Sequence, residues 1–188
     1  MDDVRPESIV FVGDLFTKGP DPCGVFRRVE AWSAHAVLGN HDAAMLEPRL
    51  GSVAEACARR MDLEVAAWRG WTAGLPLFLE VAGFTVVHAG LHPSGDLAST
   101  TRHRALHGRR WPDDTDLSNP FWYDVYTGSR RVVFGHDARR GMVRRERDGA
   151  PWLIGLDTGC VYGGALSGYI PEEDRVVQVA AHRVYRPV

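Results

Sequence analysis

Short apolar runs punctuate this chain, and four of them break off at glycine or at a residue able to ligate a metal. Ile9-Val10-Phe11-Val12 runs into Gly13-Asp14, and Ala36-Val37-Leu38 into Gly39-Asn40-His41-Asp42. Thr85-Val86-Val87 runs into His88-Ala89-Gly90, and Val132-Val133-Phe134 into Gly135-His136-Asp137. Apolar runs this short, bounded by turn residues, read as buried strands. The carboxyl ends of strands in an open α/β sheet are where ligands bind, so the pattern delivers Asp, Asn and His to one edge.

The same pattern sets the order of elements. Residues 8–13 read as a strand. Asp21-Pro22 offers an N-cap and an N1 proline for a helix over 22–32, and a strand follows at 35–39. Parallel pairing of those strands puts Gly13-Asp14 beside Gly39-Asn40. Residues 43–73 read as helical, with breaks at Pro48 and Gly51. Ala82-Gly83 between two apolar runs predicts a hairpin. Residues 92–120 are irregular and rich in His, Arg, Asp and Pro, a length that suits a functional cap. Strands are expected at 131–135, 152–156, 165–170 and 175–180, the last two joined by Pro171-Glu172-Glu173-Asp174. The sum is an α/β chain, helical early and strand-rich late. With no repeat, low-complexity tract or linker, residues 1–188 are expected to form a single domain.

Composition narrows the function. A net charge of −2 provides no global field to recruit nucleic acid or an anionic membrane. The cations are 21 arginines and one lysine, Lys18. Three widely spaced cysteines, Cys23, Cys57 and Cys160, fit neither a disulfide scaffold nor a thiolate zinc site. Met1-Asp2-Asp3 lacks the basic region of a signal peptide, and no apolar run reaches membrane-span length. A cytoplasmic protein is therefore expected.

Asp14, Asn40, His88 and His136 are two oxygen donors and two imidazoles, a mixture suited to Mn, Fe or Zn rather than Ca or Mg. Their spacings of 26, 48 and 48 residues place them on separate strands. Each signal alone is ordinary: a Gly-Asp is commonly a turn and a lone histidine commonly sits in a core. The ordered set is what points to a site.

Gly13-Asp14-Leu15-Phe16-Thr17-Lys18-Gly19-Pro20, Gly39-Asn40-His41-Asp42, His88-Ala89-Gly90 and Gly135-His136 together resemble the calcineurin-like metallophosphoesterases. Gly155-Leu156-Asp157-Thr158-Gly159-Cys160-Val161-Tyr162-Gly163-Gly164-Ala165-Leu166-Ser167 is similar to the C-terminal motif of one bacterial branch. That branch holds the symmetrical bis(5'-nucleosyl)-tetraphosphatases and small serine/threonine protein phosphatases. The resemblance runs from about residue 8 to residue 180. It implies a metallophosphatase-type two-sheet αββα sandwich, and hydrolysis of a phosphoester or phosphoanhydride by metal-activated hydroxide. It further implies Asp14 as a carboxylate bridging two ions, most readily Mn, with Asn40, His88 and His136 completing the second. His41 corresponds to the general acid, Asp42 to the carboxylate orienting it, and Lys18 to a phosphate holder. Dinucleoside polyphosphates are favoured as substrate over phosphoproteins. No membrane partner and no specific nucleic acid is expected.

The family's first motif, Asp-x-His-Gly, has no counterpart up to Gly13. The favoured expectation is an N-terminal truncation of about 30 residues, roughly one β-α unit. A one-metal variant and a catalytically impaired phosphate- or metal-binding module are the alternatives. Each leaves an unpaired strand edge beside Ile9–Val12, through which self-association is expected.

Several further residues carry two readings. The basic stretch of Arg130, Arg131, Arg139, Arg140, Arg144, Arg145 and Arg147 reads first as a solvated hairpin surface and second as an anchor for distal phosphates. Arg109, Arg110 and Trp111 suit phosphate neutralisation and base stacking, or Trp111 pins the loop. Phe121-Trp122-Tyr123 and Tyr126 are expected to pack, with one ring as a pocket wall. Asp137 could ligate, orient His136 or face solvent, and base rates favour solvent. Asp157 is expected behind the ligands, and Cys160 is expected to be buried rather than nucleophilic.

Overall fold

The computed structural model describes residues 6–61 and 65–187. β1 (Val10–Phe11) and β2 (His35–Ala36) pair in parallel around α1 (Pro22–Ala31), with Val10 opposite His35 and Phe11 opposite Ala36. The helix begins as its sequence dictates. The Asp21 carboxylate accepts the Gly24 amide, and Pro22 occupies the first turn, where its missing N–H costs nothing. Both strands are shorter than expected. Among the described residues β1 pairs with β2 alone, and its other side borders an open groove.

α2 (Asn40–Ala44), α3 (Ser52–Arg60) and α4 (Val65–Ala73) follow, separated near Pro48 and Gly51 as the sequence indicates. They close a helical core with α1 in which Phe16, Phe26, Met45, Cys57, Met61 and Trp68 are buried. Phe16, Phe26 and Trp71 meet edge to face at 6.2–6.3 Å. Each such side chain stabilises the fold by about 1.5–3 kcal/mol through burial.

The main sheet is built from β3 (Phe78–Val81), β4 (Phe84–Val87), β5 (Arg131–Phe134), β6 (Val143–Arg147) and β7 (Ala150–Gly155), in the order β3-β4-β5-β7-β6. β4, β5 and β7 run parallel, and the outer strands pair antiparallel by hairpins. All four residues of β4 are buried, which explains the lack of polar alternation there. Both hairpins turn on two consecutive left-handed residues, Ala82 with Gly83 and Asp148 with Gly149, the geometry a two-residue loop requires.

One face of the sheet, Val86, Val133 and Ile154, packs against Val10, Val12 and Val37 and against Tyr169. Tyr169 belongs to β8 (Ala165–Ile170), which forms an antiparallel ribbon with β9 (Arg175–Ala180). The second layer therefore consists of two ribbons with the groove between them. The other face packs against Leu91, Ala105, Trp122, Tyr123 and Tyr126 from the long connection.

That connection is not wholly irregular. α5 (Arg102–His107) lies within it, capped by Thr101, whose hydroxyl accepts the Arg104 amide. Trp111 pins the loop: the Arg104 guanidinium lies 4.5 Å from its ring and His92 meets it edge-on at 4.8 Å. Trp111 is thus engaged internally and is not a free stacking platform. Among the described residues no helix is long and apolar enough to cross a membrane.

Candidate metal centre

The strand ends converge because two glycines let them. Gly13 and Asp14 both take left-handed backbone angles, φ +90° and +60°. A Cβ on Gly13 would lie 2.7 Å from the Gly39 backbone and 2.8 Å from His88 Nδ1. A Cβ on Gly39 would lie 2.3 Å from the Asp14 amide nitrogen and from Asp14 Oδ1. The loops after β1 and β2 therefore touch backbone to backbone.

Four side-chain atoms meet at that point. His88 Nε2 lies 3.0 Å from Asn40 Oδ1, 3.1 Å from His136 Nδ1 and 3.5 Å from Asp14 Oδ1. His136 Nδ1 lies 3.1 Å from Asn40 Oδ1. His136 adopts a left-handed φ of +73° to reach them. The Val12 carbonyl, 2.7 Å from His88 Nδ1, can only accept, so Nδ1 carries the proton and Nε2 turns a lone pair inward. Burial holds His88 below the usual histidine range and, reinforced by nearby His88, Arg109 and His107, drives His136 down to about 2. Burial also raises Asp14, opposed by His41.

Lone pairs packed this closely call for a cation. Ligand atoms about 2.1 Å from one ion stand about 3.0–3.4 Å apart in octahedral or tetrahedral shells, which the 3.0–3.1 Å spacings among Asn40, His88 and His136 match, with Asp14 just beyond at 3.5 Å from His88. Asp14, His88 and His136 each offer a donor atom within 4.8 Å of the others. The donor set fits a first-row divalent metal.

His41 lines the groove beside this cluster, and burial lowers its imidazole while Asp14 opposes the shift. Asp42 does not orient it. The fully buried Asp42 carboxylate accepts the amides of Asp14 at 2.7 Å, Leu15 at 3.0 Å and Gly39 at 3.2 Å. Burial, then the charge of Asp14, raises it to about 6. The expected partnership fails because Asp42 sits in the first turn of α2, facing inward toward the β1 loop. Lys18 lines the groove and donates to the Tyr162 hydroxyl at 2.8 Å.

Arg109, Arg110 and Asp137 also line the groove. Arg109 Nε stands 3.9 Å from Asp137, whose side chain is 19% exposed, so Asp137 is not the solvent-facing carboxylate that base rates favour. Arg110 is occupied: its guanidinium lies 4.4 Å from the Phe121 ring and donates to the Asn119 carbonyl. Phe121 is the ring that walls the groove, while Trp122, Tyr123 and Tyr126 are buried. Asp157 lines the groove and accepts the Gly159 amide at 3.1 Å, which fixes the turn after β7. Cys160 is half-buried, its thiol raised by burial.

The basic stretch divides. Arg130 pairs with Glu80, Arg144 with Asp174 and Glu146, and Arg145 with Asp124. Arg131 covers Phe84 at 3.9 Å and Arg147 covers Trp152 at 3.5 Å. Arg139 and Arg140 line the groove. Sequence reasoning gave no role to Tyr162, although left-handed Gly159 and Gly163 bracket its turn and appear within the C-terminal motif.

The model of the calcineurin-like phosphoesterase family matches residues 2–179. The chain belongs to that family. It is 28% identical to the symmetrical bis(5'-nucleosyl)-tetraphosphatase of Ralstonia nicotianae over 95% of its length and 86% of that protein. The protein of that name from Bordetella pertussis is also 28% identical, over 94% of this chain and 86% of its own. A crystal structure whose description names a diadenosine tetraphosphatase superposes with a TM-score of 0.74 at 30% identity, covering 93% of this chain and 80% of that one. A metallophosphoesterase from Sphaerobacter thermophilus shares the fold, with a TM-score of 0.56 at 17% identity over 94% and 78% of the two chains. The chain is a metallophosphoesterase, a hydrolase of phosphoester or phosphoanhydride bonds. The family implies divalent metal ions.

Proposed function

We propose that this chain hydrolyses dinucleoside polyphosphates, splitting a phosphoanhydride bond with water. The observation carrying the reading is the convergence of Asp14, Asn40, His88 and His136 in a groove of about 2230 Å³ that Lys18, Arg109, Arg139 and Arg140 also line. A divalent ion held by those four residues, Mn foremost with Fe or Zn as alternatives, would polarise phosphoryl oxygens and make water acidic enough to attack phosphorus near neutral pH. His41 is assigned delivery of a proton to the leaving oxygen. Lys18 supplies a point charge and Arg109 a planar fork for the phosphates. Asp42 acts through the backbone, by fixing the loop that carries Asp14.

The names borne by the Ralstonia and Bordetella relatives support this substrate class. A phosphopeptide needs only one phosphate held, which leaves Arg139 without a role, whereas Arg140 already lies 4.0 Å from the Phe121 ring and donates to the Tyr123 hydroxyl at 3.3 Å. The test is turnover of diadenosine tetraphosphate to two ADP, set beside turnover of a phosphoserine peptide, with Mn supplied. Faster turnover of the tetraphosphate is expected. Hydrolysis of the peptide alone overturns the substrate class, and metal binding with hydrolysis of neither overturns the catalytic reading.

A further inference from the structure

Beyond the groove lies a second, smaller pocket of about 240 Å³, and half of the residues that line it are cations. Lys18, Arg60, Arg183 and Arg186 line it, and no carboxylate does. These residues come from three places in the chain. Lys18 follows β1. Arg60 ends α3 and turns its guanidinium onto the Gly19 and Pro20 carbonyls. Arg183 and Arg186 ride on the segment after β9, which is fastened to the turn containing Tyr162. The Ala181 amide donates to the Gly164 carbonyl at 2.8 Å, and the Tyr185 and Arg186 amides donate to the Val161 carbonyl at 3.0 and 2.9 Å.

Lys18, Gly19, Pro20 and Tyr185 border both the small pocket and the groove, so the two share a wall. Lys18 is the hinge between them, clasped by Tyr162 and close enough to Asp14 and His41 to lower both by its charge. Among the described residues, none of the four cations forms an ion pair with a carboxylate. That contrasts with Arg130, Arg144 and Arg145, which sequence reasoning grouped as a basic surface and which all pair. Arginines that converge without a carboxylate repel one another, an arrangement that a polyanion stabilises by forked hydrogen bonds.

We propose that this pocket is a distal-phosphate subsite. It receives the phosphates of a polyphosphate ester lying on the far side of Lys18 from the scissile phosphorus. Arg109 and Arg139 line the groove itself. The proposal rests on the metal centre being where phosphorus is attacked, and it makes the cation wall a length gauge: a substrate with several linked phosphates reaches it and a monoester does not.

The test is binding of tripolyphosphate and of orthophosphate to the chelator-stripped protein, measured by titration calorimetry. R183A/R186A is compared with the wild type; the backbone bonds of the segment do not involve either side chain. Tripolyphosphate affinity is expected to fall about tenfold or more, and orthophosphate affinity by less, as only the longer anion engages both arginines at once. Arg60→Gln, which removes a cation carried by a different element, is expected to give the same selective loss. Unchanged tripolyphosphate binding in both variants overturns the proposal, and so does an equal loss for both anions. Because no turnover is measured, the outcome separates from the substrate assignment. Selective loss in a protein that hydrolyses no tetraphosphate upholds the subsite and removes the assigned reaction.

Discussion

Asp14 and Asp42 brace each other's loops. Asp42 accepts the Asp14 amide at 2.7 Å, and Asp14 accepts the amide of His41, the residue before Asp42, at 2.9 Å. A metal-facing carboxylate is thereby held in a left-handed conformation that few non-glycine residues adopt. Asp42→Asn puts an N–H₂ group against an amide donor and is expected to destabilise the fold by about 2–4 kcal/mol. The shift of the urea midpoint reads this. A loss below about 0.5 kcal/mol would show that the loops hold without the brace.

The same contact makes Gly39 irreplaceable. Gly39→Ala drives a methyl group into the Asp14 amide and carboxylate, a backbone contact that cannot rotate away. The expected result is an enzyme that remains folded by circular dichroism and binds Mn at least about tenfold more weakly, as one displaced ligand costs on that scale. Calorimetric titration with Mn measures it, and wild-type affinity would mean the loops have room to separate.

Metal linkage follows from the donor set. At a Mn concentration of about 100 times its Kd, the wild type should gain about 2.7 kcal/mol over the chelated protein. His88→Ala removes the most buried ligand and should abolish the gain, visible as a melting temperature that no longer responds to EDTA. A persistent response would move the ion elsewhere.

The β8–β9 ribbon carries a pH dependence of its own. Arg144 donates through both terminal nitrogens to Asp174 at 2.8 Å, and Tyr169 donates to it at 2.9 Å. Arg144 first, then Tyr169, holds the Asp174 carboxyl down at about 2 against an ordinary 3.8. A depressed acid stabilises the folded state fully above the unfolded value and loses that contribution as pH falls through the folded one. Arg144→Gln should therefore be less stable than wild type above about pH 4, with the gap closing toward pH 2. Denaturation midpoints across that window check it, and a constant gap would assign the effect to packing.

Local chemistry was legible where it is local. Asp21-Pro22 caps α1, Ala82-Gly83 turns the hairpin, and four interrupted apolar runs bring Asp14, Asn40, His88 and His136 together. What stayed hidden depends on residues distant in sequence. Asp42 faces a loop 27 and 28 residues earlier, and Lys18 finds Tyr162 across 144. Trp111 looked available for a base until Arg104 and His92 covered it. Six polar-rich residues are too few to show the periodicity of α5, and exposure statistics misplace Asp137 because Arg109 packs over it.

The clasp between Lys18 and Tyr162 has a practical corollary. Every other cationic side chain in this protein is an arginine or a histidine, so Lys18 bears its sole side-chain amine. An acylating reagent carrying a fluorophore thus has one internal address, at the junction of groove and pocket. The same acylation removes the ammonium charge, so that single tag marks the junction and silences its cation in one step.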